Sequence, residues 1–168
     1  MGELDYIRHQ KILSLTQIEE KVNFRKHTKH FSTKIIFTNG CFDVLHLGHI
    51  EYLAKAKEYG DFLIVGLNSD ESVRKLKGET RPINDELSRA TILASLSFID
   101  AVVIFNEETP EKLIKTIRPD ILVKGGDYTE ENIVGSEFVR SYDGDVKIID
   151  LVDGYSSTNI INKLKNSN

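Results

Sequence analysis

The sequence predicts an α/β fold in which one sheet of five parallel strands is covered by helices on both faces. Three observations support this prediction. Short apolar runs alternate with segments of helical periodicity, capping residues open several of those segments, and glycine or proline ends them. The 168 residues, 40% hydrophobic and 29% charged, are predicted to form one domain, with residues 1–32 as an N-terminal helical extension.

A capping box predicts the first helix, because Ser14 and Thr16 are each followed three residues later by Gln or Glu, and this helix is expected to run to about residue 31. The apolar run at residues 34–38 is the first predicted strand. In the second helix, apolar side chains recur three and four residues apart from Ile50 onward, and Gly60 ends it.

The second predicted strand is the continuous apolar run at residues 62–67. A short helix at residues 71–76 leads into a basic loop at residues 77–82. Asn84 is then expected to cap a helix that ends near residue 96, and residues 101–105 form the third strand.

Proline marks both ends of the next helix. Thr109-Pro110 opens it with proline at its first position, and Arg118-Pro119 closes it. The fourth and fifth strands are predicted at residues 121–123 and 146–149, and a terminal helix at residues 156–165. This β-α alternation is what predicts the parallel sheet.

Composition excludes several kinds of partner. The net charge of -4 gives no general attraction to nucleic acid or to an anionic membrane, so neither is expected. Cys41 is the only cysteine, so no disulfide can form within the chain. Because no apolar run approaches the length of a bilayer span or a signal sequence, a cytoplasmic location is expected.

Polar and glycine-containing segments follow four of the predicted strands. In a parallel sheet of this kind, ligands bind beyond the carboxyl ends of the strands, where the strand order reverses. We therefore expect these segments to meet at one edge of the sheet. They are residues 38–49, 68–70, 124–128 and 154–158.

His46 and His49 lie three residues apart where the second helix is expected to begin. They would share a face of its first turn, where free backbone N–H groups and the helix dipole favour an anion. Gly48 would let a phosphate approach the backbone, and the imidazoles would donate hydrogen bonds to its oxygens. A plainer alternative stays open, in which one histidine is a buried, satisfied side chain and the other lies on the surface.

Cys41, His46 and His49 are also three potential zinc ligands. A structural zinc site needs four, and the sequence offers no evident fourth partner, so no metal held by the protein is expected. Cys41 has no recognisable base and orienting group that would make it a nucleophile, and a small core residue is the better interpretation.

Several motifs together resemble a known family. Thr38-Asn39-Gly40-Cys41-Phe42-Asp43, followed by His46-Leu47-Gly48-His49, resembles the signature of the HxGH nucleotidyltransferases. Further segments are similar to the adenylyltransferase modules of ADP-heptose synthases, namely residues 66–73, 76–78, 81–84, 124–128 and 154–158. The resemblance extends from about residue 11 to about residue 164.

The resemblance implies a Rossmann-like, doubly wound sheet with strand order 3-2-1-4-5. It also implies transfer of AMP from ATP to D-glycero-β-D-manno-heptose 1-phosphate, giving ADP-heptose and pyrophosphate by direct in-line attack without a covalent intermediate. Mg²⁺ is the implied cofactor, and a homodimer and a functional link to a separate heptose 7-phosphate kinase are implied. A sugar phosphate is already ionised near neutral pH, so this reaction needs no general base.

Site roles follow from the resemblance position by position. The implied catalytic residues are His46, His49 and Lys77. The implied nucleotide-binding residues are Thr38, Asn39, Gly40, Phe42, Gly48, Gly125, Asp127, Tyr128, Ser156, Ser157 and Thr158. The implied sugar phosphate-binding residues are Asp43, Asn68, Lys75, Arg81 and Lys124. Plainer alternatives remain: an N-cap for the Ser-Ser-Thr run, solvent exposure for the cations, a Gly-Gly turn, and loop fixing or capping for Asp43.

One segment departs from the family pattern. Many members place a basic residue soon after the serine-threonine segment, whereas this chain continues with Asn159-Ile160-Ile161. The candidates that would neutralise pyrophosphate instead are Mg²⁺, Lys163 and Arg89.

Two other functions stay open. A related cytidylyl- or adenylyltransferase would act on glycerol 3-phosphate or FMN, and a non-catalytic module would bind a nucleotide without turnover. A P-loop and a dinucleotide-binding G-x-G-x-x-G motif are both absent from the sequence.

Overall fold

The computed structural model describes residues 2–27, 33–126, 128–150 and 154–165. Its strands are β1 (Ile35–Gly40), β2 (Phe62–Asn68), β3 (Ala101–Phe105), β4 (Ile121–Gly125) and β5 (Asp145–Ile149). They form one sheet in the order β3-β2-β1-β4-β5, and every neighbouring pair is parallel. The predicted fold class and strand order are confirmed.

The helices of the described residues are α1 (Glu3–Lys11), α2 (Leu15–His27), α3 (Leu47–Lys57), α4 (Asp70–Lys77), α5 (Glu86–Ala94), α6 (Glu111–Ile117), α7 (Ser136–Arg140) and α8 (Ser157–Lys165), with a 3-10 turn at Glu130–Asn132. Within the predicted helical extension, the sequence pattern did not distinguish α1, which has no buried residue, as a separate helix. It did not predict α7, which has only five residues. The predicted end of α2 at residue 31 lies outside the described residues. In this part of the chain no helix is both long and apolar enough to cross a membrane.

Two predicted helix starts are corrected. Asp85, not Asn84, caps α5, because the Asp85 carboxylate accepts the N–H of Ser88 at 2.8 Å. The Asn84 amide instead donates to the carbonyl of Asp43 at 2.9 Å. Pro110 stands immediately before α6 rather than at its first position.

The sheet separates two apolar layers. Ile35 and Phe37 of β1 pack on one side with Ile18 of α2, whereas Ile36 packs on the other side with Leu53 of α3. Side chains on both faces of β1 are therefore buried, which explains why its sequence is a continuous apolar run rather than an alternating one.

The N-terminal extension packs against the outer strand β3. The N–H of Leu13 donates to the carbonyl of Val102 at 2.9 Å, and Ile12 forms a parallel bridge with Val102. Arg8 Nε donates to the hydroxyl of Thr91 on α5 at 3.0 Å. These contacts cover part of an otherwise open sheet edge.

The topology determines where a ligand can bind. Because all strands are parallel, their carboxyl ends share one edge of the sheet. The chain passes from β1 to β2 and β3 on one side and then returns to β4 and β5 on the other, so the strand order reverses between β1 and β4. The crevice beyond this switch point is the expected ligand site.

Candidate active site

A cleft of about 650 Å³ is lined by segments that follow the carboxyl ends of several strands. Residues that are far apart in the sequence meet there, as the strand-end argument predicts. The predicted site residues that line it are Asn39, Gly40, Phe42, Asp43, His46, Gly48, His49, Asn68, Lys77, Arg81, Lys124, Tyr128, Ser156, Ser157 and Thr158.

Three of the predicted site residues that the structure describes do not line this cleft. Thr38 is fully buried, and its hydroxyl lies 2.6 Å from that of a buried tyrosine on α3, so its side chain is a structural group rather than a nucleotide contact. Lys75 is exposed and pairs with Glu71 at 2.7 Å. Gly125 lines an adjoining recess of about 170 Å³. Asp127 lies outside the described residues.

His46 and His49 stack on each other at the start of α3. Their ring centroids are 3.7 Å apart and their planes differ by 17°. His46 is the N-cap of α3, and its Nδ1 accepts the backbone N–H of His49 at 3.4 Å. A neutral imidazole that accepts at Nδ1 carries its proton on Nε2. Both rings line the cleft, so the alternative of one buried and one surface histidine does not hold.

Both imidazoles are neutral at neutral pH. Burial, and secondarily the neighbouring His46, lowers the pKa of His49 to about 4. Burial also lowers the pKa of His46 below its usual value. His49 Nδ1 is buried and makes no hydrogen bond within the described part of the chain. The pair therefore offers hydrogen-bond donors rather than positive charges.

The start of α8 lies beside the histidine pair. The Tyr155 ring is 6.2 Å from the His46 ring, and the Ser157 hydroxyl donates to a carbonyl of the loop before α3 at 3.0 Å. The Ser156 hydroxyl accepts a backbone N–H of the first turn of α8 at 3.5 Å, as an N-cap would. A Cβ at Gly48 would lie 3.0 Å from Tyr155 Cβ, so glycine allows this close approach. Two helix N-termini thus line one cleft, where their N–H groups and dipoles favour an anion.

Asp43 fixes the basic loop against the loop that carries the histidines. Its carboxylate, whose side chain is 1% exposed, accepts from Arg81 Nε. It also accepts the backbone N–H groups of Ile83 at 2.7 Å and Asn84 at 3.1 Å. Of the roles considered for Asp43, loop fixing is the one its contacts support, and the same contacts neutralise Arg81.

Arg89 is not available to pyrophosphate, contrary to one of the sequence-based suggestions. Its side chain is 0% exposed and pairs with Asp70 at 2.7 Å. Its remaining hydrogen bonds, at 2.7 to 3.0 Å, go to the backbone carbonyls of Cys41, Asn68 and Asn84. Arg89 is therefore a buried structural group that joins three segments around the cleft.

Sequence reasoning missed one wall of the cleft. Glu108, Thr109 and Pro110 follow β3, and the same strand-end argument could have found them. Residues 132–134 lie at the end of a 3-10 turn and directly after it, and this turn has no clear sequence signal. Cys41 is half-buried and also lines the cleft, so its interpretation as a core residue is corrected.

The described residues do not build a metal site of their own. Within them, no group of three or more His, Cys, Asp or Glu side chains could hold a metal ion. A divalent ion in this cleft would need ligands from a bound molecule, as Mg²⁺ commonly obtains from phosphate oxygens.

Comparison with known proteins adds independent information. Residues 37–163 match the model of a family described as cytidylyltransferase-like. The chain is 63% identical over 131 residues to the bifunctional protein HldE of Campylobacter fetus subsp. fetus (strain 82-40), covering 78% of this chain and 28% of that protein. It is 53% identical over 157 residues to the bifunctional protein HldE of Campylobacter curvus (strain 525.92), covering 94% of this chain and 32% of that protein. The chain thus spans about a third of the length of these curated relatives.

A solved structure supports the same relationship. The lipopolysaccharide core biosynthesis protein from Thermoplasma volcanium GSS1 superposes with a TM-score of 0.58 at 30% sequence identity. The superposition covers 74% of this chain and 100% of that chain.

Proposed function

The chain belongs to the cytidylyltransferase-like family of nucleotidyltransferases, and from this premise we propose that it transfers AMP from ATP to D-glycero-β-D-manno-heptose 1-phosphate. The products are ADP-heptose and pyrophosphate. The observation that carries the proposal is the stacked pair of neutral imidazoles at the start of α3, beside the start of α8. The choice of ATP and a heptose phosphate rests on the motif resemblance and on relatives such as the lipopolysaccharide core biosynthesis protein.

In the proposed reaction an oxygen of the sugar phosphate attacks the α-phosphorus of ATP and forms a new P–O bond. The bond from the α-phosphorus to its bridging oxygen breaks, and pyrophosphate leaves with those electrons. Because the attacking phosphate is already ionised, no residue has to remove a proton. The Nε2–H groups of His46 and His49 donate to the oxygens on which negative charge grows, and the N-termini of α3 and α8 hold the leaving phosphates.

Mg²⁺ is proposed as the cofactor. When bound, it would neutralise phosphate oxygens, and those oxygens rather than protein side chains would be most of its ligands. Since Arg89 is engaged in the interior, Lys163 of α8 is the remaining protein candidate for neutralising pyrophosphate.

The wider setting is also proposed. The curated relatives are called bifunctional and are about three times as long as this chain, and the resemblance assigns their second activity to a sugar kinase. We propose that a heptose 7-phosphate kinase contributes to the supply of the sugar phosphate, that the protein acts in the cytoplasm, and that it forms a homodimer. Light scattering on the purified chain tests the dimer.

The reaction is tested by measuring pyrophosphate release with ATP and heptose 1-phosphate, with ADP-heptose identified by mass spectrometry. We expect His46→Ala and His49→Ala each to slow turnover by about 100-fold, because each removes a donor to the developing charge. Release only with CTP and glycerol 3-phosphate would favour the related cytidylyltransferase. Nucleotide binding without release from any pair of substrates would favour a non-catalytic module.

A further inference from the structure

Lys124 and Asn39 meet at the switch point of the sheet. They lie near the carboxyl ends of β4 and β1, the neighbouring strands between which the strand order reverses. Lys124 Nζ donates to Asn39 Oδ1 at 2.5 Å and lies 5.8 Å from the centre of the Tyr128 ring. Both residues line the main cleft and the adjoining recess, and His49 lines both spaces as well.

Lys124 is a half-buried cation that has no carboxylate partner among the residues the structure describes. Burial lowers its pKa to about 8, with a smaller opposing effect from Cys41. Removing an ammonium group from water without a counter-ion is unfavourable. An anionic ligand beside Lys124 would supply the missing negative charge.

The other basic side chains of the cleft are already neutralised or stay in water. Arg81 pairs with Asp43, and both histidines are neutral at neutral pH. Lys77 lines the cleft but is exposed. Among the described residues that line the cleft, Lys124 is therefore the half-buried cation that remains for a second anion.

Asn39 adds a second donor. Because its Oδ1 accepts from Lys124, its NH₂ group is left as a donor, and this group makes no hydrogen bond within the described ranges. An ammonium and an amide NH₂ side by side suit the oxygens of one phosphate. The recess they line holds about 170 Å³, which is the liquid volume of about six waters and leaves room for a phosphate group.

We propose that Lys124 and Asn39 bind the phosphate group of the acceptor substrate, at a site separate from the one that holds the nucleotide phosphates. This inference rests on the proposed nucleotidyl transfer. The histidine pair and the two helix N-termini serve the triphosphate, and the acceptor is a second anion that needs its own donors nearby. Since His49 also lines the recess, a phosphate held by Lys124 and Asn39 lies next to the reacting centre.

The test uses Lys124→Gln, with Lys55→Gln as the matched control because Lys55 is exposed on α3 and does not line the cleft. Calorimetry measures binding of heptose 1-phosphate in the presence of a non-hydrolysable ATP analogue, and binding of ATP alone. Loss of a hydrogen bond to a charged group weakens binding by about 10- to 100-fold. We therefore expect Lys124→Gln to bind the sugar phosphate about 10- to 100-fold more weakly than the wild type. ATP affinity should stay within about twofold, and Lys55→Gln should behave like the wild type.

Asn39→Asp provides a second variant that keeps the lysine and gives it a counter-ion, and it should weaken sugar phosphate binding as well. Unchanged sugar phosphate binding in both variants overturns the proposal. A loss of ATP affinity as large as that of the sugar phosphate also overturns it, because the pair would then serve the nucleotide. A wild-type protein that binds the sugar phosphate but shows no turnover contradicts the proposed function alone.

The pH dependence gives a readout that a merely structural lysine would not show. Acceptor kcat/KM in the wild type should fall above pH about 8 as Lys124 loses its proton, whereas Lys124→Arg keeps its charge and should show no such fall. A sugar phosphate, whose second pKa is about 6, stays fully ionised in this range.

Other titratable groups also line the recess. Burial raises the pKa values of Cys41 and Tyr52, so both stay protonated around pH 8, and the pKa of His49 lies at about 4. Tyr128 supplies the ring beneath the ammonium group. A wild-type profile that is flat between pH 7 and 9 contradicts the assignment of Lys124.

Discussion

Replacing His49 should reduce the loss of stability in mild acid. In the folded protein the pKa of His49 is lowered from 6.5 to about 4, chiefly by burial. As the pH falls, the imidazole of the unfolded chain takes up a proton near pH 6.5, while that of the folded chain does not. The contribution of neutral His49 to the free energy of unfolding is therefore complete above pH 6.5 and is lost as the pH falls toward 4. At 1.36 kcal/mol per unit of pKa shift, this contribution to the free energy of unfolding is about 3 kcal/mol in total. About 2 kcal/mol of it is lost between pH 7.5 and pH 5. The ring is only partly buried, so water screens part of this, and we expect about 1 kcal/mol.

Urea unfolding at pH 7.5 and pH 5 measures this effect. The free energy of unfolding of the wild type should fall between the two pH values by about 1 kcal/mol more than that of His49→Gln. His27→Gln, which removes an exposed imidazole on α2, is the control and should keep the wild-type difference. If His49→Gln loses as much stability in acid as the wild type, the ring is not held neutral by burial. The account of the pair as uncharged donors would then fail as well.

Three further substitutions test the packing around the cleft. Gly48→Ala would place a Cβ 3.2 Å from His46 Nδ1. We expect pyrophosphate release to slow by about 10- to 100-fold, with little change in melting temperature. Release at the wild-type rate would show that the position of the His46 ring is not critical. Tyr52→Phe removes a hydroxyl that lies 2.6 Å from that of Thr38, and urea unfolding should show that the free energy of unfolding falls by about 1–3 kcal/mol. An unchanged midpoint of unfolding would contradict this prediction. Arg89→Lys cannot reproduce the planar set of donors and should lower the free energy of unfolding by about 3 kcal/mol; a loss below about 0.5 kcal/mol would refute its role as a buried link.

The strands were predictable because a strand buried on both faces has an apolar run as its sequence. Their carboxyl ends were less predictable. The sequence pattern ends β1 at residue 38, but pairing with β2 continues to Gly40 opposite Leu67. Similarly, β4 pairs with β5 as far as Gly125 opposite Ile149. Backbone hydrogen bonds do not require apolar side chains, so the ladder extends into the polar segments that form the cleft.

The location of the site was predictable, but the state of its charges was not. The predicted strand ends and the motifs indicated that the histidines and basic residues lie at one edge of the sheet. Which cations remain unpaired depends on contacts between distant segments, such as Arg81 with Asp43 and Arg89 with Asp70. Local sequence patterns contain no information about such pairs. For that reason Arg89 was one of the candidates for neutralising pyrophosphate, although the fold uses it internally.

The distribution of charge in the cleft fits a reaction between two anions. At a separation of about 5 Å and an effective dielectric constant of about 20, two unit negative charges repel by about 3 kcal/mol. The histidine pair and the helix N-termini can bind a triphosphate with donors and dipoles, but they carry no full charge to offset this repulsion when the second anion arrives. A cation is most effective where water screens it least, which favours half-buried Lys124 over exposed Lys77. The second anion should therefore bind at the switch point between β1 and β4, because that is where a poorly solvated positive charge meets the reacting centre.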